Sequence, residues 1–221
     1  MVDKKQPKGE VTRRHILDTA LGLFRRRGFE KTTMRDIAQA AELSLGAAYH
    51  YFGSKEDLVR AYYEWTQDEH ERRSTGGGEL RERVRRLLST KLELLSRDRK
   101  LLVALLGNLG DPSHPLSVFG RATGAVRERS IEQFTAVFDD PAVPLELKGL
   151  LGRGLWLSHL GLFLFFVHDR SKGQTATTEL LELIVDVASN AAPLLGHPLA
   201  ASARARLSRI FGEFEAPGAA S

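Results

Sequence analysis

The sequence predicts an all-α protein, and three observations carry that prediction. Apolar residues recur at helical spacing through nearly the whole chain, as in Ile16, Leu17, Ala20, Leu21 and Phe24. The breaks between such runs are turn chemistry: Asp111-Pro112, Asp139-Asp140-Pro141, Ser171-Lys172-Gly173 and Gly196-His197-Pro198. No segment alternates polar and apolar residues with the period of two that a half-buried strand requires. With 221 residues, 42% hydrophobic and 27% charged, the chain has the length and composition to bury a core.

Residues 1–9 are lysine-rich and polar, with Pro7 and Gly9, and read as a flexible arm. Thr12 is placed to cap the first helix. Arg25, Arg26 and Arg27 load its last turn and Gly28 follows, which are stop signals. Those arginines suit either the helix dipole or phosphate contact. Thr33, with Asp36 three residues on, makes a capping-box start for a short second helix. Its inner face is Met34, Ile37, Ala38 and Ala41. Ser44 caps a third helix, Leu45 to Phe52, which Gly53 ends. Ser54 caps a fourth, running to about Arg72, with Leu58, Ala61, Tyr62 and Trp65 facing inward.

Ser74-Thr75-Gly76-Gly77-Gly78 marks a boundary. No Gly-Lys-Ser/Thr follows, so the glycines are not a phosphate loop, and they read as a flexible joint. Beyond it, helical patterns cover Glu79–Arg97, Leu101–Leu109, Leu116–Phe138, Leu145–His168, Thr177–Leu195 and Ala201–Phe214. Two domains result, 10–72 and 79–214.

Composition narrows the chemistry. There are no cysteines, which excludes disulfides, thiolate metal sites and cysteine nucleophiles and is compatible with a reducing cytosol. The first residues, MVDKKQPKGEVTRR, have no apolar core and do not read as a secretory signal. The apolar stretch from Leu155 to Val167 is interrupted by Ser158 and His159. It is shorter than the ~20 residues of a bilayer span, so it reads as a buried helix and no membrane partner is expected. Residues 1–60 hold 12 Lys+Arg against 8 Asp+Glu, and the remainder holds 20 of each. The whole net charge of +4 thus sits in the first segment, where a phosphate backbone would attract it.

Residues 33–55, TMRDIAQAAELSLGAAYHYFGSK, read as helix, tight turn and second helix, the layout that offers one helix to the DNA major groove. With ILDTALGLFRRRGF before them and LSLGAAYHYFGSKEDLV within and after, residues 10 to about 65 closely resemble the DNA-binding domain of TetR-family transcriptional regulators. The remainder resembles the family in kind. The resemblance implies a three-helix DNA-binding domain followed by a larger helical ligand-binding and dimerisation domain. It further implies a cytoplasmic homodimer that lays its third helix on a palindromic double-stranded operator, acts as a repressor, and responds to an unidentified small-molecule effector. No cofactor, metal or enzymatic activity is expected. Two departures stand out. Glu42 occupies a turn position where the family often has glycine, and a positive φ there would carry strain. Leu45, Ala47 and Ala48 replace reading residues that are often polar, leaving apolar contact with thymine methyls open to Leu45 and Ala47.

The candidate DNA contacts are Thr33, Arg35, Ser44, Leu45, Gly46, Ala47, Tyr49, His50 and Lys55. Thr33, Tyr49 and Lys55 would meet phosphate, Arg35 a guanine or phosphate, and His50 the backbone or a base edge. Gly46 would allow close approach. The duller alternatives are capping for Thr33 and core packing for Tyr49 and Tyr51. Phe52, Ile37, Ala38, Leu21 and Phe24 belong to the core.

In the second domain, Trp156, His159, Leu160 and Phe163 share one helix face. Helix–helix core, subunit interface and ligand pocket all remain open for it. Phe119, Phe134, Trp156, His159 and Phe163 are the candidate ligand contacts, with Gly107, Asn108 and Phe138 as weaker ones. Gly149, Gly152 and Gly154 would allow close approach at the start of that helix. His159 and His168 lack the Glu-x-x-His or His-Glu-x-x-His spacing of a metal site, and no Gly-x-Ser-x-Gly elbow exists. The rival reading is a helical dimeric adaptor, carrier or enzyme with a non-functional helix-turn-helix. The adaptor would be marked by a turn that Glu42 cannot make, the enzyme by His159 and His168 converging in a pocket.

Overall fold

A computed structural model describes residues 8–107, 111–141 and 143–213, and its regular secondary structure is helical throughout. The first helix, α1 (Lys8–Arg27), buries Ile16, Leu17, Ala20, Leu21, Leu23 and Phe24 along one stripe. It ends where Gly28, at φ +87°, turns its N–H back onto the Phe24 carbonyl at 2.9 Å. Thr12 is not its cap. The Thr12 hydroxyl donates to the Lys8 carbonyl at 3.1 Å, one helical turn back, so the helix has already started there. Of the expected arm, Lys8 and Gly9 are helical and residues 1–7 lie outside the described residues.

Three capped helices follow: α2 (Met34–Ala40), α3 (Leu45–Tyr51) and α4 (Lys55–Ser74). Beyond them come α5 (Leu80–Ser96), α6 (Arg99–Leu106), α7 (Gly124–Ala136), α8 (Leu145–His168), α9 (Thr175–Gly196) and α10 (Ala201–Glu213). Two expected spans shrink. The segment predicted from Leu101 begins at Arg99 and gives way to a turn at Gly107; Asn108 and Leu109 lie outside the described residues, as does Phe214. The segment predicted from Leu116 becomes helical only at Arg121–Thr123, a 3₁₀ turn leading into α7. Leu116 to Gly120 instead follow a chain of turns: Ser117 N–H donates to the His114 carbonyl and Gly120 N–H to the Ser117 carbonyl. Apolar spacing at 116 and 119 imitated a helix, but Leu116 N–H donates to His114 Nδ1 and Phe119 N–H to Ser117 Oγ, local bonds that compete with helical ones.

Two cores form, and they do not divide at residue 75. One joins α1–α4 to Leu101, Leu102 and Leu105 of α6 and to Phe163, Phe166 and Val167 of α8. The other joins α5, α7, α8 and α9 around Phe134, Phe138, Leu147, Trp156 and Val185. α8 therefore contributes to both. Arg25 adds a polar tie: its guanidinium donates to both carboxylate oxygens of Asp98, at 2.5 and 3.2 Å, while the Tyr62 hydroxyl donates to the same group at 2.5 Å. Neither reading offered for Arg25 anticipated this partner 73 positions away.

The glycine run is not a free joint. Arg86 donates to the carbonyls of Ser74, Gly76 and Gly77, and Arg83 to that of Gly78, which pins the crossing against α5. α8 also extends well beyond the interrupted apolar stretch of residues 155–167. At 24 residues, with a mean hydropathy of 1.6 over its most apolar window, it is long and apolar enough to cross a bilayer. What marks it as a core helix is that 56% of that window is buried against its neighbours. Gly152 explains part of this. A Cβ there would stand 2.2 Å from Thr135 Oγ1 and 2.6 Å from Thr135 Cα, so α7 seats directly on the α8 backbone. Gly149 and Gly154 have open space instead.

Candidate nucleic-acid interface and internal pocket

The turn between α2 and α3 is built by local hydrogen bonds. Thr33 Oγ1 accepts from Asp36 N–H, while the Asp36 carboxylate accepts from the Thr33 backbone N–H, a reciprocal capping box. The Thr33 hydroxyl, and after it the Thr33 N–H, donate to the Asp36 carboxylate and hold it below its usual range, and Arg27 at 3.8 Å contributes least. Ala41 and Glu42 N–H groups close the end of α2 on Ile37 and Gln39, and Leu43 N–H reaches back to Ala38 at 2.9 Å. Glu42 takes φ +58°, so the turn forms in the left-handed region without glycine. Ser44 then caps α3, accepting from Ala47 N–H at 3.1 Å.

α3 is locked on one side and open on the other. Ala48 is fully buried, and Leu45 and Tyr51 pack half-buried on the core. Ser44, Gly46, Tyr49 and His50 are exposed, and Ala47 is half-exposed beside them. Arg35 lies exposed on α2. Thus Arg35, Ser44, Gly46, Tyr49 and His50 are each accessible, and Ala47 partly so. Ala48 is withdrawn from the reading positions, because it is the contact through which α3 seats on the core.

Two expected phosphate ligands have other partners. The Thr33 hydroxyl donates to Asp36 at 2.7 Å, so its proton is already engaged. The Lys55 ammonium folds back, donating to the Phe29 carbonyl at 2.9 Å and lying 4.3 Å from the centre of the Phe29 ring. It braces the α1–α2 corner rather than extending into solvent. Leu45 likewise belongs partly to the core.

A cavity of about 130 Å³ opens between α4, α5, α6, α7 and α8. Trp156, His159, Leu160 and Phe163 form one wall, so the shared α8 face is a pocket wall as well as core. Phe119 and Phe134 do not line it. Phe134 is fully buried behind His159, their rings 4.6 Å apart, and Phe119 packs edge-on against Trp156 at 6.0 Å. Phe138 is core and Gly107 ends α6. Both aromatics read correctly as apolar; the backbone path puts them one layer too deep or too far round.

The sequence reading missed the polar groups of this pocket. Thr66 and Gln67 come from α4 and Lys91 from α5. Lys91 is 8% exposed, and its ammonium donates to Gln67 Oε1 at 3.0 Å. The Gln67 amide in turn donates to Glu71 at 3.0 Å and to Gln133 at 2.7 Å. Burial pushes the Lys91 ammonium down to about 7, against a smaller opposing pull from Glu71. Burial, reinforced by the charge of Lys91, lowers His70 to about 4 and His159 to about 3. The Thr66 hydroxyl is buried beside Tyr62 and makes no well-formed hydrogen bond among the described residues. A signal was present: Lys91 interrupts the apolar series Val84, Leu87, Leu88 and Leu95 at a position that helical spacing places on the inner face. His168 is exposed at the far end of α8 and does not join His159, whose Nδ1 bonds to the Trp156 carbonyl. No group of three potential metal ligands occurs among the described residues.

Comparison with known proteins agrees with this architecture. Residues 16–62 match the family model described as bacterial regulatory proteins, tetR family, and residues 83–194, half of the chain, match that of the tetracyclin repressor-like C-terminal domain. Over 67 residues the chain is 39% identical to the HTH-type transcriptional regulator AcrR of Shigella flexneri, covering 30% of this chain and 31% of that protein. Over 47 residues it is 51% identical to the HTH-type transcriptional repressor KstR2 of Rhodococcus jostii, covering 21% and 23% respectively. The chain thus spans a third or less of the length of these curated relatives. Among solved structures, a tetR-family transcriptional regulator from Streptomyces coelicolor superposes with a TM-score of 0.62 at 22% identity, covering 92% of this chain and 94% of that one. Thermus thermophilus FadR, solved in complex with lauroyl-CoA, superposes with a TM-score of 0.56 at 24% identity, covering 80% and 92%.

Proposed function

The chain belongs to the TetR family of bacterial transcriptional regulators, and from that premise we propose that it is a ligand-responsive DNA-binding repressor acting as a cytoplasmic homodimer. One observation carries the reading: α3 is anchored through Ala48 while its Ser44, Gly46, Tyr49 and His50 stand exposed, as does Arg35 on α2. A helix held this way can enter a major groove without rearranging its own core. In this reading Arg35 and Tyr49 contact the duplex directly, and Lys55 acts by holding the α1–α2 corner.

The homodimer is supported by a second surface. Leu164 and Phe165 of α8 and Leu183, Val187 and Leu194 of α9 are exposed on two helices that pack together. Gly161 on the outer side of α8 has open space over its Cα. Two such helix pairs from two subunits would bury this surface in a four-helix contact. Heads held one helical turn apart, roughly 34–36 Å, or a multiple of that, could then read a palindrome. An effector in the pocket changes operator affinity by its differential affinity for the two head spacings. The names of the curated relatives and the FadR complex with lauroyl-CoA support the regulatory and ligand-binding parts of this reading.

The test is a gel shift against a palindrome upstream of the gene or its neighbours, across a salt series. Binding should weaken steeply with salt. Arg35→Ala should weaken it and relax base preference, and Tyr49→Ala should weaken it on every sequence alike. Binding insensitive to salt, or absent on every genomic fragment, ends this reading.

A further inference from the structure

We propose that the internal pocket takes a small hydrophobic carboxylate, its apolar body against Trp156 and Phe163 and its anionic head on the Lys91 ammonium and the Thr66 hydroxyl. This deepens the ligand-responsive reading above and rests on it. Among the described residues the lining carries two cations, Lys91 and Arg127, and no carboxylate. Arg127 is committed, donating to the carbonyls of Val118 and Gly120 and pairing with Glu128 at 3.4 Å. Lys91 is not. An ammonium has three donors, and its one hydrogen bond here goes to the neutral Gln67. A buried cation with a neutral partner is costly, and an anion entering the cavity offsets that cost. Thr66 offers a second buried hydroxyl, which meets the Tyr62 side chain one turn back but makes no well-formed hydrogen bond among the described residues. A cationic guest would meet Lys91 without any counter-charge on the walls. The size of the guest follows from the cavity, about 130 Å³, close to the ~150 Å³ of an engineered apolar cavity that holds benzene.

The groups around Lys91 define its pH dependence. Gln67, His70 and Glu71 lie on α4 and His159 on α8, with Arg127 on the α7 side of the cavity. Both histidines stay neutral above pH 5, and Glu71 is held below its usual range by Gln67 and Arg129 despite partial burial. The free Lys91 ammonium titrates near 7 because it is buried. A carboxylate beside it favours the charged form. Binding above pH 7 therefore takes up a proton, and affinity falls by up to about tenfold per pH unit there.

The experiment is calorimetric titration of the full chain with phenylacetate and hexanoate, and with phenylacetamide and hexanamide, at pH 6.5 and 8.5. Each acid should bind at least tenfold more tightly than its amide at pH 6.5, and at pH 8.5 should bind more weakly with measurable proton uptake. Lys91→Met should erase the preference for the acid while leaving the melting temperature equal or higher, and Thr66→Val should weaken the acids. Equal binding of acid and amide, no binding of either, or a preference that survives Lys91→Met overturns the proposal. A gel shift on the same preparation separates the two readings. DNA binding without acid binding rejects this inference alone; acid preference without DNA binding rejects the regulator and leaves the pocket assignment standing.

Discussion

Asp98 joins what the chain order keeps apart. It is 2% exposed and receives hydrogen bonds from Arg25 of α1 and Tyr62 of α4. Asp98→Ala should lower stability by about 2–3 kcal/mol, because the Tyr62 hydroxyl is left buried without an acceptor and Arg25 loses its partner. A shift of the urea midpoint with an unchanged slope checks this. His70 and His159 give a second prediction. Burial holds both below the unfolded value of 6.5, at about 4 and about 3. The unfolded chain therefore binds more protons between pH 6.5 and pH 4, so stability falls as the pH is lowered through that window. Each histidine contributes a slope of about 1.4 kcal/mol per pH unit at most, and His159→Phe should remove one share of it in acid melts. At this scale the N-terminal residues were legible: Thr33, Asp36, Ser44 and Ser54 cap as their spacing predicts. Lys55 and Phe134 were not, because each is decided by a partner far along the chain; for Lys91 helical spacing marks the inner face but not its partner Gln67.

Helices α2 to α4 owe their limits to capping chemistry within four residues, which is why the sequence delimits them to within a residue or two. The turn between α2 and α3 is the exception in which a residue works against its own preference. Glu42→Gly should stabilise the protein by about 0.5–1 kcal/mol in a thermal melt, since glycine accepts φ +58° without a Cβ clash but adds unfolded-state entropy. The α7–α8 contact is the reverse case. Gly152→Ala should cost about 1–3 kcal/mol, because its Cβ would meet the Thr135 backbone as well as a movable side chain. A Thr135→Ala partner change should recover only part of that loss. The segment before α7 departs from its apolar period for an equally local reason: the His114 and Ser117 side chains take the N–H groups of Leu116 and Phe119.

At the scale of the whole molecule, shared helices run through both cores. α8 contributes Phe163 and Phe166 to the core beneath the reading head and Trp156 to the core beneath α9. α4 carries Lys55 at the head and Gln67 in the polar network of the pocket. Lys91 of α5 is tied through Gln67 to α4, the helix whose first turn carries Lys55. The outer apolar face makes the last prediction. Leu183→Asp with Val187→Asp should yield a monomer by light scattering, with helical content unchanged because both side chains already face outward. That monomer should lose about a hundredfold or more in operator affinity, as half-site binding loses the effective concentration that linkage provides.

Helical class, the four N-terminal helices and the family followed from the chain by itself, because spacing and capping are interactions between residues a few positions apart. Tertiary structure alone decided that Lys91 looks into a cavity, that Lys55 turns back onto Phe29, that Phe134 lies behind the pocket wall, and that residue 75 does not separate two cores. Those outcomes depend on which helices pack together and at what distance, and a buried cation or a closed gap acquires its partners only when that packing is complete.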